Sequence, residues 1–110
     1  MTWEIRYYDE RLQLAVLALP TGLLARYLHC TDRMMEFGPD LGMPHTRAMS
    51  GGLFELRLKS REGIARVFYC TLVGRRIIML HQFVKKTDKT PPKELNLARQ
   101  RLKEWKHVDP

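Results

Sequence analysis

The sequence has only two cysteines, Cys30 and Cys70, and neither belongs to a CxxC pair or to a Cys/His pattern with zinc-ligand spacing. A disulfide framework is thereby excluded, no metal site is expected, and both thiols read as reduced packing residues. Long apolar runs are also missing. No stretch approaches the roughly 20 residues needed to cross a bilayer, and the opening MTWEIRYYDE lacks a basic segment followed by an apolar core. The expected location is therefore the cytoplasm, with no membrane partner. Internal repeats, low-complexity tracts and linkers are absent as well, so residues 1–110 read as one domain.

What is present is an ordinary globular composition, 45% hydrophobic and 28% charged, far from the signature of disorder. The net charge of +7 is unevenly spread. Residues 1–52 carry five Lys or Arg against six Asp or Glu, whereas residues 53–110 carry fourteen against six. A basic half of this kind suits an anionic partner, because each phosphate it neutralises releases counterions.

Local patterns order the chain. Trp3, Ile5 and Tyr7 alternate with polar residues, which is the period of a half-buried strand over Thr2 to Tyr8. Asp9 is a suitable N-cap for a helix carrying Leu12, Ala15, Val16 and Leu19, and Pro20-Thr21-Gly22 ends it. Leu24, Tyr27, Leu28, Met34 and Met35 predict a second helix from Leu23 to Phe37, stopped by Gly38-Pro39. The two make a helical hairpin. Residues 38–52, with four glycines and two prolines, show neither period and predict a loop.

Beyond the loop, Phe54, Leu56 and Leu58 alternate with Glu55, Arg57 and Lys59. With a turn at Ser60 to Gly63, a β-rich run over Ile64 to Leu72 and another over Ile77 to Val84, this predicts a three-stranded antiparallel meander. Pro91-Pro92 suits the first turn of a last helix that Thr90 could cap, and Leu95, Ala98, Leu102 and Trp105 form its apolar stripe. The predicted fold class is α+β: a small antiparallel-dominated sheet, an N-terminal helical hairpin and a C-terminal helix. Helices are expected to cover one sheet face and leave the other to bind a ligand.

On that other face Glu55, Arg57 and Lys59 project together, and Arg66 falls beside them if the hairpin keeps its usual pairing. Like charges opposite one another destabilise a sheet, so clustered cations suggest a polyanion, although a solvated face with Glu55 offsetting the positives has the same pattern. His81 has the range for acid/base work but sits in an apolar strand, where a packing role is the commoner one. Lys85-Lys86 ends the same strand, and His45 and Arg47 lie in the long loop, where binding residues often sit. Tyr69 reads as core. Cleaving RNA requires taking a proton from a 2′-hydroxyl, stabilising charge on phosphate and protonating the leaving 5′-oxygen. The cations suit the second task, whereas neither Glu55 nor an ordinary lysine is an obvious base.

Four stretches, LGMPHTRAMSGGLFELRLK, IARVFY, LHQFVKKTDKTPPKEL and LARQRL, resemble the phage-derived, HigB-like toxins of the RelE/ParE superfamily, and cover residues 41 to 102 almost without interruption. The resemblance implies a RelE-like fold and the toxin of a type II toxin–antitoxin pair. It also implies a metal-independent endoribonuclease, without a cofactor, that cleaves mRNA on the ribosome and leaves a cyclic phosphate. By position, Arg57 and Arg66 match the family's phosphate-contacting cations. Lys59 and Lys86 fall where further basic active-site residues occur, and Lys85 is adjacent. The chain departs from some relatives by carrying Glu55 in place of a lysine and by lacking a tyrosine after the basic tail, which leaves the proton steps open. The implied partner is a helix-turn-helix, HigA-like antitoxin through which operator DNA would be bound, with Met34 and Met35 either contacting it or packing in the core. The alternatives are a non-enzymatic, ParE-like inhibitor of DNA gyrase and an RNA-binding module without chemistry.

Overall fold

The computed structural model describes residues 2–85 and 89–108, the last three by backbone alone. In chain order the elements are β1 (Glu4–Tyr7), α1 (Glu10–Leu17), α2 (Thr21–Phe37), β2 (Thr46–Ala48), β3 (Phe54–Ser60), β4 (Gly63–Leu72), β5 (Arg76–Lys85) and α3 (Pro92–Val108). The strands form one sheet in the order β1-β5-β4-β3-β2. Among the described residues only β1 with β5 is parallel; the other pairings are antiparallel, as the alternating patterns predict for the meander.

Asp9 caps α1 by accepting from the Leu12 amide at 2.8 Å, satisfying one of the free donors of the first turn. The helix α2 has no such cap of its own at Pro20. Glu62, in the turn between β3 and β4, supplies one from a distance by accepting from the Gly22 amide at 2.5 Å. The two helices bend by 117° where they meet, and no single helix among the described residues is long and apolar enough to cross a membrane. At the end of α2, Gly38 takes φ +104° while its amide bonds Met34, and a side chain there would be strained.

The sheet has a core on each side. Leu12, Val16, Leu23, Tyr27 and Met34 from α1 and α2 meet Leu56, Leu58, Val67, Tyr69, Ile77 and Met79 on one face. On the other, Ala98 and Leu102 of α3, with Leu95 and Trp105 beside them, meet Leu53, Phe68, Cys70, Ile78, Leu80 and Phe83. Full burial of each large aliphatic or aromatic side chain is worth about 1.5–3 kcal/mol. The expectation of helices on one face only is therefore corrected. The stripe on α3 needs an apolar surface, and β4 and β5 offer one; the β3 side of that face stays outside this second core.

Three further differences concern the loop, the first strand and the last helix. Residues 46–48 pair with β3 as a short strand inside the expected loop, held where Thr46 Oγ1 accepts from the Leu41 and Gly42 amides and donates to Asp40. β1 pairs in parallel with β5, so the first strand of the chain joins the meander at its β5 edge. Thr90 does not cap α3, whose first turn instead bonds the Pro91 carbonyl through the Glu94 and Leu95 amides. Met34 is fully buried in the core; both cysteines are buried too, and they form no disulfide.

Candidate functional site

Register decides which side chains meet. Arg57 pairs directly with Arg66, and Ser60 with Gly63, so the hairpin turn is the two residues Arg61 and Glu62. Directly opposed residues share a face, and the pairings across four strands define three rungs. The first holds Lys59, Ile64 and Lys85; the second Arg57, Arg66 and Phe83; the third Arg47, Glu55, Phe68 and His81. Arg47, Arg57, Lys59, Arg66 and Lys85 thus lie on the side of the sheet that carries α3. A bulge at Phe68/Tyr69 shifts the β4–β5 register and lets Leu80 and His81 both bear on that side.

Two guanidiniums opposite one another are held by a buried carboxylate. Glu55 is 1% exposed and its Oε1 accepts from Arg57 Nη1 at 2.9 Å and lies 3.7 Å from Arg66 Nε. Its other oxygen accepts from Thr90 Oγ1 at 3.1 Å. Arg66, 3% exposed, also donates from Nη1 to the Ala65 carbonyl at 3.1 Å. A charge removed from water to this degree must be paired, and Glu55 meets that requirement for both arginines at once. Thr90 was missed as a site residue because its place before two prolines resembles a cap; the buried acceptor across the sheet is what directs its hydroxyl.

Exposure grades across the cluster. Lys59 is exposed, Arg57 half-buried, and Arg66 and Lys85 buried. Between them lies a cavity of about 170 Å3 lined by Pro44, Arg57, Lys59, Ile64 and Arg66. Pro44, not singled out in the sequence, closes its rim from the loop, and the Arg57 amide fixes that loop by donating to the His45 carbonyl at 2.8 Å. His45 stands beyond Arg57, outside the cluster, and Arg47 is exposed on the outermost strand next to Glu55. Lys86 lies outside the described residues.

His81 is placed differently. Its Nε2 is hydrogen-bonded to Glu94 of α3, and its ring stacks on Phe83 with centroids 6.1 Å apart. With Arg101 donating to the Leu80 carbonyl at 2.7 Å and Arg99 to the Met49 carbonyl at 2.8 Å, this bond fastens α3 to the sheet. Tyr69 is core, its hydroxyl donating to the Pro39 carbonyl at 2.5 Å, and burial raises its pKa above the ordinary tyrosine value. Among the described residues, no three His, Cys, Asp or Glu side chains gather as a metal-binding group.

A mixed five-stranded sheet with a bent helix pair on one face and a C-terminal helix on the other is a RelE-like fold, with the cationic cluster beside that last helix. The archaeal RelE–RelB complex from Pyrococcus horikoshii contains a chain that superposes with a TM-score of 0.55 at 22% identity, covering 82% of this chain and 100% of that one. An arginine double mutant of the E. coli toxin RelE in the free state gives 0.57 at 16% identity, covering 93% and 99%. Residues 15–103 match the family model described as phage-derived protein Gp49-like, and the chain belongs to that family. No curated protein matches the sequence significantly.

Proposed function

We propose that the chain is the toxin of a type II toxin–antitoxin pair, of the HigB-like kind, and an endoribonuclease that cuts mRNA on the ribosome. The observation that supports this most directly is the pair Arg57 and Arg66, directly opposed on one sheet face, gripping one carboxylate and flanked by Lys59 and Lys85. Such a set is preorganised for a scissile phosphate: the 2′-hydroxyl gives its proton to solvent water, its oxygen bonds to phosphorus, the bond to the 5′-oxygen breaks, and a cyclic phosphate and a 5′-hydroxyl result. Arg57 and Arg66 stabilise the charge that builds on the phosphoryl oxygens, and the exposed ammonium of Lys59 donates a proton to the departing oxygen. Lys86, which follows Lys85 in the sequence, adds positive charge. No metal is needed for these steps.

Glu55 is a positioning residue in this scheme. Both its oxygens are already engaged by Arg57, Arg66 and Thr90, which leaves it poorly placed to take the 2′-hydroxyl proton. Arg47 and His45 flank the cluster and extend the positive surface for the RNA strand. The partner is a helix-turn-helix, HigA-like antitoxin, and operator DNA is bound through the toxin–antitoxin complex. Primer extension on cellular mRNA after brief induction tests the reading. Cuts within translated frames that disappear with Arg66→Ala are expected. Intact mRNA together with loss of plasmid supercoiling would overturn it in favour of a gyrase inhibitor, and RNA binding without cuts would leave a binding module.

A further inference from the structure

Beyond the cluster, a larger cavity of about 560 Å3 opens around the outer edge of β3. It shares Pro44, Arg57 and Lys59 with the smaller cavity, so the two adjoin across these side chains. The strand β2 pairs with β3 only as far as Leu56, and beyond this point the larger cavity borders the β3 edge and reaches α2. Its far wall is Arg26 and His29, three residues apart on one face of α2, with Arg61 at the tip of the hairpin turn. His45 stands on the loop between.

The lining is one-signed. Arg26, Arg57, Lys59 and Arg61 carry permanent positive charge, His29 and His45 add imidazoles, and among the described residues no carboxylate lines the cavity. Two acids next to these elements in sequence are committed elsewhere. Glu62 turns to the Gly22 amide and to Ser60, and Asp40 accepts from the Gly42 amide and from Thr46 Oγ1. The first of those bonds also docks the hairpin turn against the start of α2, which sets Arg61 across the cavity from Arg26. A volume of this size lies within the roughly 300–1,000 Å3 usual for ligand clefts.

Resting on the ribonuclease reading above, we infer that this cavity is a second phosphate subsite, which takes a flanking phosphate of the same single RNA strand whose scissile phosphate lies at Arg57 and Arg66. Arg26 and Arg61 hold the flanking phosphate, while Arg57 and Lys59 stand on the rim between the two positions. The strand therefore bends around the β3 edge rather than lying flat across the sheet.

The test is an NMR titration of the 15N-labelled protein, over a series of salt concentrations, with uncleavable 2′-O-methyl RNA as a dinucleotide or a hexanucleotide. Arg26 and Arg61 are exposed, so Arg26→Ala/Arg61→Ala should keep the fold, which the spectrum itself verifies. The double variant should bind the dinucleotide, with its single phosphate, as the parent does. For the hexanucleotide, the slope of log K against log salt should fall by about 0.7, the loss of one single-strand phosphate contact. The charge-preserving Arg26→Lys/Arg61→Lys variant should restore it. An unchanged hexanucleotide slope, or equal weakening of both ligands, would overturn the subsite. If Arg57→Ala still weakens the dinucleotide in that case, the subsite alone has failed; if Arg57→Ala weakens neither ligand, the ribonuclease reading fails with it.

Discussion

Replacing Glu55 tests whether the two arginines depend on one carboxylate. In the native chain Glu55 is almost wholly buried, 2.9 Å from one guanidinium and 3.7 Å from the other, and accepts from the Thr90 hydroxyl. Glu55→Ala leaves Arg57 and Arg66 directly opposed without the negative charge between them. Removing one partner from a buried ion pair costs about 3–5 kcal/mol, because the charge left behind has lost its compensation. Set against a total of about 5–15 kcal/mol for a small domain, that brings the variant close to unfolding. Glu55→Gln keeps an acceptor for Thr90 and for one arginine but removes the charge, and should cost about 1.5–3 kcal/mol, the worth of a charge-assisted hydrogen bond. Urea unfolding followed by circular dichroism measures both, with the midpoint expected to shift at constant slope. A ligand that binds only the folded state stabilises it by about 2.7 kcal/mol at a hundredfold excess over its Kd. Added RNA should therefore stabilise both proteins, and Glu55→Ala more than the parent, since the phosphate takes the place of the missing carboxylate. A cost below about 1 kcal/mol for Glu55→Ala would refute the reasoning, for the arginines would then be held by something else.

Three other perturbations probe the frame around the cluster. A double-mutant cycle on His81 and Glu94 should give a coupling of about 0.5–3 kcal/mol in stability, because these residues touch directly and fasten α3 to β5. Tyr69→Phe removes the 2.5 Å bond to the Pro39 carbonyl and should cost about 0.5–1.5 kcal/mol in the same urea assay. Burial raises the Cys30 pKa, its first cause, while Arg26 and Arg33 partly oppose the shift. Since only the thiolate reacts, a disulfide reagent at neutral pH should label native Cys30 far more slowly than the unfolded chain.

The parts of the fold written in short-range patterns were legible. Alternation in Phe54 to Lys59 and the tight turn after it fixed the hairpin, and the hairpin register alone put Arg57 opposite Arg66. Asp9 marked the first helix, and the Leu95, Ala98, Leu102 and Trp105 stripe marked the last. Other features depend on long-range contacts that leave no local signature. The strand at residues 46–48 is too short to show a period, and its pairing is set by β3. The parallel β1–β5 pairing joins residues some seventy positions apart. The side of the sheet taken by α3 follows from an apolar surface on β4 and β5 that becomes visible only when the strands are in register. The same holds at the site: Glu55 looked like one charge among several, and its role as the shared partner of two arginines and a threonine comes from three elements meeting. His81 shows the converse, a residue of suitable chemistry whose ring nitrogen is bound to Glu94.

A double-mutant cycle on RNA cleavage puts the convergence of Arg57 and Arg66 on a single phosphate to the sharpest test. Single-turnover rates on one mRNA fragment, with ribosomes present, would be compared for the parent, Arg57→Ala, Arg66→Ala and the double variant. Each single change should slow cleavage by about 10²–10³-fold, the usual cost of a lost donor at a developing oxyanion. The double variant should then be far less impaired than the product of the two, because both side chains act on the same group. Parental rates in either single variant, or losses that multiply fully, would contradict the account.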